Sequence, residues 1–568
     1  MTTGGARVRF LDRRLSIGRW SIPLVVVIVV VYLGLSPTLY LVWRTFNGEA
    51  GLSLDVFTRA FSHPNFDLTL LYTAEFTLGV VIFSLVLGTT LAYLVVRTDV
   101  PAKGLVYASA VVPLIIPGVL YAISWIFLAS PRTGTLNAWF DAVVGQRPFD
   151  VFGMGGMIWV QGLHYTPLVF LLMAAAFRSF DPSLEESAQL SGANRRQVLR
   201  TVTLPLLRPA LYSVLMLMAI QALGDFETPA LLGVRGGRRV LTYEIFNEMR
   251  SIPPGFDVAG AFSLVLLAFT GLGLFFYSRM SRNSARFQTI TGKAFKPRLV
   301  RLGQWRWAAT GAVVVYFVVA VVLPILILLY AGTQDFYLPP TLERIGNANL
   351  DQFREVFSNG VLARAAKNSV VLSVATATIS MVLVAVIAWL VVRTKLRGRW
   401  MLDTVVSLPL TVPGIVIGVS FIFIYLRAPL PIYGTLWILL LAYVTRTLPY
   451  GMRYVSGAMY QVSQELEDAA HVSGASWLTT FRTVVLPLLA PALLAGWMFI
   501  VMLSLRELSA SILLYSPGTE VLSVAIWELW ESGQLPELAA LGVLFVAGLF
   551  VLVLVAQRLG RQFGIRGY

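Results

Sequence analysis

The sequence predicts an all-α integral membrane protein with 12 transmembrane helices in two parallel six-helix repeats. Three observations carry this reading. The 568 residues are 57% hydrophobic and only 13% charged, with a mean hydropathy of +0.75, whereas a soluble domain is about 25% charged. Apolar runs of about 20 residues, the length a spanning helix needs, recur along the whole chain. A polar loop occurs twice, 282 residues apart and without a gap.

The first copy of that loop reads Leu-Glu-Glu-Ser-Ala-Gln-Leu-Ser-Gly-Ala over Leu184–Ala193, and the second Leu-Glu-Asp-Ala-Ala-His-Val-Ser-Gly-Ala over Leu466–Ala475. Each continues to a proline-broken segment, Arg200–Leu211 and Arg482–Leu493, which pairs Gly192 with Gly474, Pro205 with Pro487 and Pro209 with Pro491. Lipid-facing helices drift among Leu, Val and Ile. Repeated glycines, prolines and polar residues in a loop therefore mark a duplicated element.

Spans are expected near residues 21–43, 71–96, 105–129, 157–177, 209–232, 258–278, 307–331, 368–392, 404–426, 433–452, 491–515 and 537–557. The first is too long for a signal h-region and lacks a small-residue cleavage site after it. With the N-terminus inside, cytoplasmic segments hold roughly 29 of the 44 Lys and Arg and external loops roughly 13. Both termini and both copies of the loop then face the cytoplasm. Arg235, Arg238 and Arg239, between spans five and six, are an external exception to that bias.

The repeat reaches beyond the loops. Leu94–Thr98 recurs as Leu390–Thr394, and Pro113, Pro117 and Gly118 match Pro409, Pro413 and Gly414 at a shift of 296. The shift shortens to 282 because the external loop near 130–156 is longer than its counterpart near 427–432. This divides the chain into units 1–290 and 291–568, joined by a basic linker near 279–305. Parallel repeats imply a pseudo-two-fold axis along the membrane normal and a pathway between the halves.

Each loop, about 181–209 and 463–491, reads as helix, glycine turn, helix and return to the membrane. Asp181 followed by Pro182, and Ser463, are expected to cap the first helices. Gly192 and Gly474 supply the turn, and Asn194 and Ser476 cap the second helices. Pro205 and Pro487 are expected to break the second helix of each copy before the next span.

The composition excludes several chemistries. Without cysteine there is no disulfide or thiolate site. His63, His164 and His471 are too scattered for an imidazole metal centre, and no metal site is predicted. No Ser/His/Asp constellation appears, and no phosphate loop. Gly292-Lys293-Ala294 lacks the rest of that motif. The chain is therefore not expected to be an enzyme.

Ionisable residues inside spans are costly and line cavities or pair with one another. Across the repeat Asp225 aligns with Glu507 and Gly224 with Arg506. Span five holds Asp225 and Glu227, and span eleven Arg506, Glu507, Ser509 and Ser511. These six are the expected translocation path or gate. An ion pair of Arg506 with an acid is the alternative reading. His164 and Arg446 also match across the repeat and are expected to bond between helices.

The duplicated loop resembles the EAA loop of permeases of bacterial ATP-binding-cassette importers: Glu-Ala-Ala, three residues, Gly, nine residues, Ile-x-Leu-Pro. Copy one has Glu186-Ser187-Ala188, Gly192 and Val202-Thr203-Leu204-Pro205. Copy two has Asp468-Ala469-Ala470, Gly474 and Val484-Val485-Leu486-Pro487. Departures are Ser187, Val for Ile, and the shorter Asp468.

The resemblance implies the type I importer transmembrane fold. It also implies two separate ATPase subunits, which carry ATP and Mg, docked on the cytoplasmic side. Their expected contacts are Glu185, Glu186, Ser187, Ala188, Gly192, Leu204 and Pro205, with Glu467, Asp468, Ala469, Ala470, Gly474, Leu486 and Pro487 in the second copy. A periplasmic or lipid-anchored substrate-binding protein is expected outside, with the chain in the bacterial inner membrane.

Tandem fusion, together with Gly224–Leu232 and Arg506–Leu514, looks like the ferric-iron group. Thiamine, polyamines and aminoethylphosphonate are the alternatives within the same importer class. A major-facilitator-type secondary transporter shares the span count, but has no use for two EAA loops.

Overall fold

The computed structural model describes residues 5–48, 51–52, 54–179, 183–284 and 299–562. Residues 285–298 of the predicted linker, with its division at 290/291 and the Gly292-Lys293-Ala294 segment, and the cap at Asp181-Pro182 lie outside the described residues. Among those described, the regular structure is helical apart from a two-residue antiparallel pairing of Asn47–Gly48 with Gly51–Leu52 and an isolated parallel bridge between Thr98 and Val300.

Nine helices among the described residues are long and apolar enough to span a bilayer: Ser21–Phe46, Phe66–Arg97, Met154–Arg178, Arg196–Leu223, Phe256–Arg279, Trp305–Ala331, Gly360–Arg393, Trp477–Leu505 and Leu535–Arg558. Spans three and nine are not the straight crossings that the sequence suggests. They are bent pairs, Lys103–Ile115 with Gly118–Ala129 at 108° and Arg399–Thr411 with Gly414–Tyr425 at 107°. The predicted span ten is the 26-residue helix Leu436–Gln461. Arg446 and Arg453 make it less apolar than its first-repeat counterpart, Met154–Arg178.

The bends have a local cause. Pro117 has no N–H, so the carbonyl of Pro113 cannot be capped from one turn ahead. His164 fills that place, its Nε2 lying 3.1 Å from Pro113 O and 3.3 Å from Ile116 O. With both carbonyls as acceptors, Nε2 carries the proton. The second repeat solves the same problem differently. There Val412 N donates to Pro409 O at 3.2 Å within a tightened 3₁₀ turn, Leu408–Thr411.

Pro205 and Pro487 do not break the helix as predicted. The fifth and eleventh spans run unbroken through them, because one turn widens to π geometry at Leu199–Thr203 and Phe481–Val485. A wider turn makes room for the proline ring and leaves its missing donor at the start of the next α segment.

The chain packs into two compact units, residues 1–52 with 361–524 and 548–568, and residues 53–360 with 525–547. In the first unit, span one lies along the bent pair of the second repeat. Tyr32 and Tyr425 share a 2.8 Å hydroxyl bond, and a Cβ added at Gly34 would meet Val405 O at 2.7 Å. In the second unit, span seven lies along the bent pair of the first repeat, where Tyr121 donates to Ala320 O at 3.2 Å. Each unit therefore takes its opening span from the other repeat. This packing does not follow the sequence division into 1–290 and 291–568.

Candidate functional site

The duplicated loop is built as its residues suggest. Helices Ser183–Leu190 and Glu465–Val472 end at Gly192 and Gly474, whose φ of 91° and 85° suit glycine. Asn194 and Gln197 bond each other reciprocally, with Gln197 N to Asn194 Oδ1 and Asn194 N to Gln197 Oε1 both at 2.9 Å. Ser476 accepts from Thr479 N at 3.3 Å. Ser463 Oγ accepts from Glu465 N at 3.3 Å.

The adjacent acids of each copy part company. Glu185 turns inward, 3.1 Å from Arg97 Nη2, and accepts from Thr203 Oγ1 at 2.6 Å. Arg97 is 3% exposed at the end of span two. In the second copy Glu467 lies 2.9 Å from Arg393 Nε, both side chains at or below 10% exposure, and accepts from Trp389 Nε1 at 3.1 Å. Trp389 in turn packs on Trp477 at 5.1 Å between ring centroids. Glu186, Ser187, Asp468 and Ala469 are exposed, and Ala188 and Ala470 half-buried. Successive helical residues point about 100° apart, so one acid of each pair turns inward while its neighbour faces out. Glu185 straps its loop to spans two and five, and Glu467 straps its loop to span eight, where Trp389 packs on Trp477 of span eleven.

The intramembrane residues form one cluster in each unit. In the second unit, span five ends at Leu223 and the chain turns before Pro229–Gly233. Asp225 sits in that turn and Glu227 at the start of the helical segment that follows it. Thr242 Oγ1 donates to Asp225 O at 2.7 Å, and Asp225 Oδ2 is buried without a hydrogen-bond partner among the described residues. Glu227 lies against the first residue of Gly118–Ala129, where a Cβ added at Gly118 would collide with Glu227 Oε2 and lie 3.6 Å from His164 Cε1. The positive end of a helix favours a carboxylate there.

In the first unit the equivalent charges are rearranged. Arg446, at the position of His164, reaches Glu507 at 2.5 Å. Glu507 also accepts from Ala510 N at 2.9 Å, and Ser523 Oγ donates to Glu507 O at 2.6 Å. Ser511 Oγ shares a 2.7 Å bond with Tyr443. A Cβ at Gly414 would collide with Arg446 Nη1 and meet Ser509 Cβ at 2.7 Å. Glu507 of span eleven thus pairs with Arg446 of span ten, a bond between helices as expected for Arg446. Among the described residues no three His, Asp or Glu side chains are grouped to hold a metal ion.

Gly414→Ala is expected to destabilise the protein by about 1–3 kcal/mol, the cost of forcing a methyl against Ser509 Cβ, and Gly118→Ala by less, since its methyl meets only the end of the Glu227 side chain. Gly457→Ala, with open space around its Cβ, should be neutral or better. Thermal unfolding in detergent checks this, and equal behaviour of all three would remove the close approach as an explanation.

Residues 81–288 and 380–564 match the family described as binding-protein-dependent transport system inner membrane component. The chain belongs to that family. It is 27% identical over 466 residues to the ferric transport system permease protein FbpB of Actinobacillus pleuropneumoniae, spanning 78% of this chain and 64% of that relative. It is 25% identical over 520 residues to the Fe(3+)-transport system permease protein FbpB 2 of Haemophilus influenzae, covering 90% of this chain and 94% of the relative. A shorter match, 32% identity over 166 residues, covers 29% of this chain and 62% of the putative 2-aminoethylphosphonate transport system permease protein PhnV of Salmonella paratyphi A.

Proposed function

We propose that this chain is the permease of an ATP-driven, binding-protein-dependent importer of ferric iron, with both termini cytoplasmic. The duplicated loop carries the reading. Each copy presents an outward-facing acid, Glu186 or Asp468, beside small residues, on a helix strapped to two spans. Such a helix suits docking to an ATPase subunit whose basic side chains would pair with the acid. Small neighbours let the partner approach closely.

Two ATPase subunits then supply ATP, Mg and the hydrolysis, one per loop. Closure of the ATPase dimer would draw the loops together, and the straps would pass that movement to spans two and five in the first repeat and to spans eight and eleven in the second. Asp225, Glu227, Glu507, Ser509 and Ser511 would line the path or its gate, with Arg506 beside them. The Arg446–Glu507 pair would be the contact broken on opening. An ionisable residue buried at that depth, as at Asp225, marks a substrate or ion pathway.

Ferric iron is favoured because two ferric permeases match over most of this chain. The shorter match to the aminoethylphosphonate permease supports a second reading, the same importer with that cargo. Uptake of radiolabelled ferric iron in cells lacking this protein, with and without complementation, separates them. Loss on deletion and recovery on complementation are expected. Unchanged iron uptake under iron starvation would exclude iron and leave the phosphonate to be tested next.

A further inference from the structure

The three arginines that break the charge bias form a built surface. They lie in the turn Gly233–Arg239, beyond the end of span five opposite the duplicated loop, about 42 Å of helix away for its 28 residues. Arg238 N donates to Gly233 O at 2.7 Å and Gly237 N to Val234 O at 3.1 Å. Gly237 has φ 68°, and a Cβ at Gly236 would collide with Phe152 O. The turn therefore has little freedom.

Aromatic rings fix the guanidinium groups above it. Arg235 lies 4.6 Å from the Trp530 ring centroid and 5.5 Å from Phe152, Arg238 4.6 Å from Tyr72, and Arg239 5.9 Å from Tyr243. Of the three, only Arg239 has a carboxylate within 4 Å among the described residues, Glu244 at 3.6 Å. Arg235 and Arg239 are exposed and Arg238 half-buried.

The second repeat supplies an internal control. Its turn makes the same closing bond, Leu522 N to Ser369 Oγ at 2.7 Å, where the first has Leu241 N to Thr73 Oγ1 at 2.9 Å. It does so with Pro517, Gly518, Thr519 and Glu520 and no arginine. Burial would raise the Glu520 carboxyl, but the Gly518 N–H at 2.8 Å and Arg364 at 3.3 Å outweigh it and hold it below the ordinary glutamate range. The turn closes without an arginine of its own, so folding does not explain three of them. Positive charge on this side also runs against the orientation signal.

We propose that the Gly233–Arg239 turn is the docking surface for an acidic face of the external substrate-binding protein. This rests on the importer reading above. Ring-pinned guanidiniums lose little freedom on pairing with carboxylates, and a fixed basic surface raises the rate of encounter with an acidic partner.

The test uses the intact importer with its ATPase subunits in nanodiscs, titrated with the purified substrate-binding protein of the same transport system. Wild type should bind more weakly as salt is raised from about 50 to about 300 mM, since screening shortens the reach of the charges. The double substitution Arg235→Glu, Arg238→Glu should weaken binding at least about tenfold at low salt and flatten that dependence. Arg235→Gln with Arg238→Gln should lose part of the affinity while leaving hydrogen exchange of the turn unchanged, which separates charge from misfolding. Wild-type affinity in both variants would overturn the docking surface alone, and a changed dependence on anionic lipid in its place would assign the arginines to the membrane. Failure of wild type to bind at any salt concentration would overturn the importer reading as well.

Discussion

Replacing Glu186 and Asp468 together with arginine is expected to abolish uptake while leaving the fold of the permease intact. Both side chains are exposed at the outer face of their helices. Neither holds the loop together, so exposed substitutions of this kind change stability by about 0.5 kcal/mol or less. Their effect would fall on the partner, where an acid opposite a basic groove becomes a like charge. Like-charge juxtaposition at an interface costs several kcal/mol, so the ATPase should no longer co-purify at micromolar concentrations. Co-purification and uptake are the measurements. A double variant that retains its ATPase and transports normally would sink the docking role of the loop.

The residue beside Asp468 should behave in the opposite way. Glu467→Gln removes the charge that faces Arg393 in a site where both side chains are at or below 10% exposure. Leaving a buried charge unpaired costs about 3–5 kcal/mol. The loss should be local, freeing the helix Glu465–Val472 and the π turn behind it. Faster amide hydrogen exchange there is the expected signature, with the far ends of the spans unaffected. Exchanging the charges, Arg393→Glu with Glu467→Arg, should recover part of the protection. If Glu467→Gln left exchange unchanged, the strap would not be what holds the loop.

The same contrast is expected, more weakly, in the first copy. Glu185 keeps 20% exposure and leans on Thr203, where Glu467 has Trp389 and the Trp389–Trp477 contact behind it. Water can reach Glu185 and lower the cost of losing its partner. Glu185→Gln should therefore disturb exchange less than Glu467→Gln.

Much of the duplicated loop was legible in the residues themselves. Gly192 and Gly474 had to be turns, because the polar pattern ended there and glycine alone enters the left-handed region freely. Listing Glu185 with Glu186, and Glu467 with Asp468, did not distinguish the acid that turns inward, which lies about 100° around the helix from its neighbour. A signal for the strap was present in Arg97 and Arg393, each closing the repeated Leu-Val-Val-Arg-Thr. What each arginine meets depends on how the loop folds back, and no local pattern specifies that.

Prolines show the same limit. Pro113 with Pro117, and Pro409 with Pro413, remove a backbone donor at a known place, yet they bend their spans by more than 100°. Pro205 and Pro487 remove one too and the helix runs on through a π turn. Proline determines that a hydrogen bond is missing. Where the chain bends, another donor meets the freed carbonyl: His164 does so for Pro113, and the Val412 N–H of a 3₁₀ turn for Pro409.

By itself, then, the sequence determined the membrane class, the two repeats, the turns at the paired glycines and the acids that belong to each span. These arise from local chemistry and from the copying of one segment into another. Only the tertiary structure decided which acid faces inward, that Glu507 pairs with Arg446, and that each opening span packs with the other repeat. Those outcomes depend on surfaces brought together from distant parts of the chain. Duplication preserves the residues of such a surface without recording which copy it will be buried against.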